Sequence, residues 1–391
     1  MRLRIALLLR TALLAIAAVC GCQSVSESPQ SVPSADAGGP ASGPPSVESP
    51  WNQPVPSGVH KPEPFPALGF ASSASGSLVV FELVTGSVVA EHPLGNTVFD
   101  LAWLPGTCRL MARVSSNGRA QRVFAYEPRW ESGQLQLALR SATEEYWGDP
   151  QILGVRSYVS TSGQRRPETL WLTQGDPVPV WQRLGSELEL LSPGAAWPAP
   201  VRWSTLPQGN VVGIVGKAEA TEVAFATLDG SQEHFESYAL PHAAVLATRG
   251  ADLWVWQAAG ADAGPRLLRY AALAPLGAPS FEQPYLGNAE ALALEAAPHR
   301  AVAVLETPRG GLSLWSAGQG TAYGTRVDAP VTHRYRPLAL QPHAAWLATD
   351  SGVVQFSLPE LNAKRVFNGA ELRGPVLVPG GKELGCLANE P

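Results

Sequence analysis

One apolar strand pattern recurs along this chain at nearly constant spacing. That recurrence limits the fold more than any single motif does. It reads SLVVFEL from Ser77, RVFAYEP from Arg122, TLWLTQG from Thr169 and EVAFATLDG from Glu222. It continues as RLLRYAAL from Arg266, LSLWSAGQG from Leu312 and VVQFSLPEL from Val353. The steps from start to start are 45, 47, 53, 44, 46 and 41 residues. Between these strands, short apolar runs end at Gly, Pro, Asp or Asn, which is strand and turn punctuation, and helical spacing is scarce.

A second series precedes most of these strands: an apolar strand, a turn containing Pro, and another apolar strand. Examples are FDLAWLPGTCRLMARV, VRWSTLPQGNVVGIVG, ALALEAAPHRAVAVLE, RPLALQPHAAWLATD and GPVLVPGGKELGCLA. Strands covered on both faces should be nearly apolar throughout, and these largely are. About four strands per repeat of ~40–50 residues is the signature of propeller blades. The expected fold is therefore all-β, a β-propeller of seven four-stranded blades with the recurring strand third in each. The stretch from Gly148 to Gln164 is weakly written, and six or eight blades stay open. The near-duplicates LPHAAVLATRG and QPHAAWLATD look like one phrase repeated. Counting places the first in a first strand and the second in a second strand, so part of their likeness is accidental.

The two ends carry incomplete units. SLVVFELVTGSVVAEH (Ser77 to His92) reads as a third and fourth strand, and GPVLVPGGKELGCLA (Gly374 to Ala388) as a first and second. Joined, they make a seventh blade in which Leu384 to Leu387 pairs with Leu78 to Phe81; unjoined, each leaves an open sheet edge. Aligning PGTCRLMA with PGGKELGC sets Cys108 and Cys386 four positions apart along equivalent strands. At ~3.3 Å per residue that is about 13 Å, beyond the roughly 7 Å a disulfide allows, so both are expected as free thiols.

The strand–turn–strand–strand pattern resembles WD40-type and YVTN-type β-propeller repeats. The hairpin FELVTGSVV (Phe81 to Val89) is similar to the Thr-Gly turn of pyrroloquinoline-quinone-type repeats. The resemblance runs from about Ala67 to Pro391, without a Trp-Asp dipeptide or Gly-His pair, and it implies architecture but no active-site residues.

Ahead of the repeats, Arg2, Arg4 and Arg10 precede the apolar run TALLAIAAV, which ends at Cys20-Gly21-Cys22. A charged start, a short apolar run and small residues make an export signal. The end resembles a bacterial lipoprotein box, with Cys22 the lipidated residue because Gly21 before it is small. By that resemblance Gln23 implies sorting to the outer membrane. Residues 1–21 are thus expected as signal peptide, 22–66 as a disordered tether and 67–391 as the propeller. The tether, rich in Ser, Pro and Gly, lacks the apolar surface to order itself. At ~3.1 Å per residue it could reach on the order of 100 Å.

Net charge is −5 and no basic patch appears, so no nucleic-acid partner is expected. No G-x-S-x-G, Walker loop, H-E-x-x-H or zinc-type cysteine spacing is present. His242, His299 and His343 each follow a Pro at a turn. They could bind metal only if they converged, and turn positions of separate blades keep them apart. His234 with Glu236 reads as a solvated pair on an outer strand. Glu290, Glu295 and His299 would form a metal set only on a helix, and that segment reads as a strand. The richest cluster is EEYWGD, with Glu144, Glu145, Tyr146, Trp147 and Asp149 in a loop between blades. Carboxylates beside aromatics suit a sugar or a cationic peptide. The plainer reading is a connection whose aromatics plug the core.

No metal and no cofactor are expected. The favoured function is a lipid-anchored, non-enzymatic binding module of the bacterial cell envelope with a protein partner. The alternative is an envelope enzyme, a lactonase-like hydrolase or a quinone-dependent dehydrogenase. Such an enzyme needs ionisable groups at the ends of the innermost strands, which carry few.

Overall fold

Short runs of Val, Leu and aromatic residues favour a pleated, half-buried backbone, and frequent Gly and Pro leave no room for long helices. The structure, a computed structural model, describes residues 67–388 except 105, 116–119, 132–133, 148–150, 160–164, 174–179, 193–201, 207–210, 217, 230–231, 272–274, 320–323, 329–337, 350–351, 368–371 and 381–382. The expected signal peptide, Cys22 and the tether lie outside the described residues.

Among the described residues the strands form seven antiparallel sheets. The chain enters with β1 (Leu68–Ser73), β2 (Ser77–Glu82) and β3 (Val88–Pro93). Next come β4 (Val98–Leu104), β5 (Arg109–Ser115), β6 (Ala120–Glu131) and β7 (Gln134–Ala142), with the two-residue β8 (Tyr146–Trp147) added to β6. The third sheet holds β9 (Gln151–Val159), β10 (Arg165–Thr173), β11 (Val180–Leu184) and β12 (Leu190–Ser192). The fourth holds β13 (Arg202–Thr205), β14 (Val211–Val215), β15 (Glu222–Asp229) and β16 (Gln232–Ala239). The fifth holds β17 (Ala243–Arg249), β18 (Asp252–Gln257), β19 (Arg266–Ala271) and β20 (Phe281–Pro284). The sixth holds β21 (Glu290–Ala297), β22 (Arg300–Glu306), β23 (Leu312–Gly318) and β24 (Thr325–Asp328). The seventh holds β25 (Leu338–Gln341), β26 (Ala344–Thr349), β27 (Gly352–Ser357) and β28 (Ala363–Phe367). The last strand, β29 (Leu372–Leu377), pairs back onto β1.

The first strands touch one another in the order β29, β4, β9, β13, β17, β21, β25, and β25 touches β29 again. Second strands are buried on both faces, as in β26, whose six residues are all buried. Outer strands alternate or stay exposed, as in β24. Apolar layers fill the spaces between neighbouring sheets. Trp254 and Trp256 meet Ala301 and Trp315 across one of them, and Trp346 and Val353 meet Ala71 and Phe81 across another. Each fully buried large side chain stabilises the fold by about 2–3 kcal/mol.

The recurring strand is third in its sheet in six of the seven cases, including β2 once β29 is counted as first. TLWLTQG departs: it lies in β10, second in its sheet, because β9 takes the inner place between β4 and β13. The two PHAA phrases stand as counted, one entering the first strand β17 and the other the second strand β26.

Two expectations about the ends are corrected. The shared sheet takes three strands from the front of the domain and one from its end, in the order β29-β1-β2-β3. The partner of Leu78 to Phe81 on the inner side is β1, through Ser72↔Leu78 and Gly69↔Phe81. Leu384 to Leu387 forms no strand; it lies in a 3-10 helix, Glu383–Ala388. Pro379-Gly380 breaks the extended run, and the Glu383 carboxylate accepts the Gly380 N–H at 2.8 Å, which starts the turn. Residues three apart share one side of a 3-10 helix. Leu384 and Leu387 therefore both enter the core between the first two sheets.

The same helix overturns the free thiols. Cys386 approaches from a helix rather than along a strand, so the strand offset does not apply. Cys108, in the β4–β5 turn, and Cys386 form a disulfide with Cα atoms 5.9 Å apart.

Candidate functional site

The segment carrying the acidic cluster is fixed from one side. Where β7 leaves β6 after Phe124↔Ala142, Thr143 takes over the edge. Its N–H donates to the Val123 carbonyl at 2.9 Å, and its hydroxyl accepts the Val123 N–H at 3.1 Å. Arg122 Nε donates to the Thr143 carbonyl at 2.9 Å. Beyond it, Ala120↔Trp147 and Gln121↔Tyr146 continue the ladder as β8. Glu144 and Glu145 bridge these two anchors and are exposed. The structure thus brings Glu144, Glu145 and the backbone of Tyr146 and Trp147 onto one sheet edge, while Asp149 lies outside the described residues. Two carboxylates held beside an ordered edge can receive a cationic group or backbone donors.

The histidines do not converge. His242 precedes the first strand β17, whereas His299 and His343 stand in turns between first and second strands. His242 and His299 adopt left-handed backbone, φ 61° and 64°, which is a turn role. Among the described residues no group of three or more His, Cys, Asp or Glu could hold a metal ion. Glu290 and Glu295 lie on β21, with His299 beyond its end. Glu236 accepts a hydrogen bond from the Tyr238 hydroxyl.

The strongest electrostatic feature was not singled out from the sequence. Glu127 on β6 receives Arg109, Arg129 and Arg140, the last two at 2.6 Å. Arg109 also reaches Glu187 of the next sheet at 2.6 Å. Burial works to raise the Glu127 pKa, but hydrogen bonds from Arg129 and Arg140 and the charge of Arg109 hold it down to about 2. Glu127 and Arg129, two apart on a strand, share a face and were readable as a pair. Arg109 and Glu187 come from other elements and were not. Nearby, burial pushes the Tyr126 hydroxyl up to about 12.

No protein family matches the sequence, and no curated protein is detectably similar. Solved structures are similar in fold. A functionally unknown protein from Desulfotomaculum acetoxidans superposes with a TM-score of 0.54 at 12% identity, over 80% of this chain and 98% of the other. A quinonprotein alcohol dehydrogenase-like protein from Bacteroides thetaiotaomicron gives 0.50 at 10% identity, over 81% and 78%. A protein from Lactobacillus plantarum gives 0.50 at 9% identity, over 81% and 100%. The fold is β-propeller-like. At these identities the similarity speaks for architecture alone.

Proposed function

We propose that the chain is a lipid-anchored, seven-bladed propeller of the bacterial cell envelope that binds a protein partner without catalysing a reaction. The observation that carries the envelope part of this reading is the pairing of Cys108 with Cys386 inside the folded domain. Disulfides persist in exported proteins and are rare in reducing compartments. That agrees with the export signal and with Cys22 as the lipid anchor, which Gln23 would send to the outer membrane. Seven blades rest on the cyclic contact order of the first strands and on the sheet shared by β29 and β1. A binding role rests on the exposed Glu144 and Glu145, held between the Thr143 anchor and β8. The dehydrogenase-like neighbour lends its fold but no activity.

Two measurements test the reading. Cys22→Ser should move the mature protein from the membrane to the soluble fraction and abolish labelling by a palmitate analogue. A photo-crosslinker at Glu145 of the anchored protein should give one discrete protein adduct, absent when the crosslinker stands at Arg309, in the β22–β23 turn. Turnover of lactones, or alcohol-dependent reduction of an electron acceptor, by the purified protein would overturn the non-enzymatic reading.

A further inference from the structure

One face of the fifth sheet collects buried polar atoms that have no hydrogen-bond partner. In register, Trp256 stands opposite Leu267, which stands opposite Gln283. Trp254 stands opposite Arg269, which stands opposite Phe281. Positions two apart share a face, so Trp254, Trp256, Arg269 and Gln283 all project toward the sixth sheet. Trp254 and Trp256 are fully buried and Gln283 is 3% exposed. Neither indole Nε1, neither amide atom of Gln283, nor Arg269 Nε has a hydrogen-bond partner.

The neighbours fix where these groups sit. Phe281 lies edge-on to Trp254 and Tyr285 edge-on to Trp256, each with ring centroids 5.6 Å apart. Gln283, on β20 between Phe281 and Tyr285 in sequence, lies in the same cross-strand row as Trp256 and on the same face of the sheet. Trp315 of the sixth sheet, 5.5 Å from Trp256 between ring centroids, closes the far side.

The balance of donors and acceptors says what belongs there. Each indole offers one N–H, the Gln283 amide two and Arg269 Nε one, against a single acceptor, the Gln283 carbonyl oxygen. The Arg269 charge is already offset, because its Nη2 donates to both oxygens of Asp252 at 2.9 Å. A further anion would thus be buried without a counter-charge, which is costly. A neutral guest with lone pairs meets the need. Native proteins rarely leave such groups unpaired, and buried water making two to four hydrogen bonds is the usual remedy.

We infer that the space between the fifth and sixth sheets, at Trp254, Trp256, Arg269 and Gln283, is a built-in binding site for ordered water. Water there accepts from the indoles and Arg269 and exchanges hydrogen bonds with the Gln283 amide. The site makes the contact between these sheets hydrated on the outer side of an otherwise apolar layer.

A crystal structure of the folded domain to about 1.5 Å tests this. At least one water peak within about 3.2 Å of two of the named atoms is expected. A second arm labels the indole nitrogens and reads magnetisation transfer from long-lived water to the Trp254 and Trp256 N–H signals, assigned through single Trp→Phe variants. Gln283→Leu should abolish that transfer while the propeller stays folded; if that variant does not fold, the wild-type crystal decides. Direct bonding of the Gln283 amide to protein atoms, with no density between the sheets, overturns the inference. Density larger than water overturns it as well.

Discussion

Cys108 and Cys386 stand 278 residues apart in sequence and are joined by a disulfide. The bond ties the β4–β5 turn to the closing 3-10 helix, so it crosses from the second sheet to the end of the chain. Cross-linking so long a loop removes much freedom from the unfolded chain. Cys108→Ser or full reduction should therefore lower stability by about 2–5 kcal/mol, read as a fall in denaturant midpoint. Mass spectrometry of the unreduced, alkylated protein should show the linked peptide pair. Two capped thiols with an unchanged midpoint would rule the bond out.

Gly86 reports on the neighbouring last sheet. It turns the β2–β3 hairpin with φ at 72°, and a Cβ there would stand 1.7 Å from the backbone oxygen of Val366 on β28. Gly250 has a similar φ of 58° but open space around it. Gly250→Ala should cost only the left-handed backbone strain, about 1–2 kcal/mol. Gly86→Ala should cost that and a further ~1–3 kcal/mol for the clash. Equal losses in thermal unfolding of the two variants would mean that the first hairpin does not reach the last sheet.

Acid should expose the Glu127 cluster. Its carboxyl titrates at about 2 in the folded protein, against the model-compound value of 4.5. A depressed folded pKa contributes stability that is present above the unfolded value and lost as pH falls through the folded one. The contribution of this group should thus fade between about pH 4.5 and about pH 2. Glu127→Gln should flatten that part of the pH profile of the melting temperature, and an unchanged slope would contradict the reading.

Strand existence was legible because runs such as DLWVWQ and RAVAVLE carry their burial in their composition. Strand position was less so. TLWLT looks like a third strand because second and third strands are both largely buried, and only the neighbours of β9 decide the matter. β1 was hidden because LGFASS, with its small residues, follows directly on a Pro-rich stretch of sequence. Its apolar part, Leu68 and Phe70, is nevertheless buried. The acidic cluster was visible as a loop, yet its anchoring through Thr143 depends on a hydroxyl whose partner is twenty residues earlier. Gln283 was invisible. A glutamine on an outer strand reads as solvent-facing, yet Gln283 lies on the face turned toward the sixth sheet and is buried there.

The dependence on β29 is the sharpest consequence of the topology. β29 supplies the inner neighbour of β1 through Phe70↔Leu377 and Ala71↔Val376. It also stands between β25 and β4 in the order of first strands. Leu372 and Val376 are buried against Trp346, Phe81 and Phe367. Removing residues from Leu372 onward strips one strand from the shared sheet, opens the edge of β1 and uncovers apolar surface on two neighbours. It also removes Leu384, Leu387 and the Cys386 half of the disulfide. The truncated protein should lose its cooperative thermal transition and its protease resistance as a whole. A synthetic peptide spanning residues 372–388 should restore part of both in trans, because the shared sheet would be complete again. Val376→Asp in the full chain should cost about 3 kcal/mol or more, since it buries a charge where Ala71 faces it. A truncated protein with an undiminished transition would show that the two ends do not depend on one another.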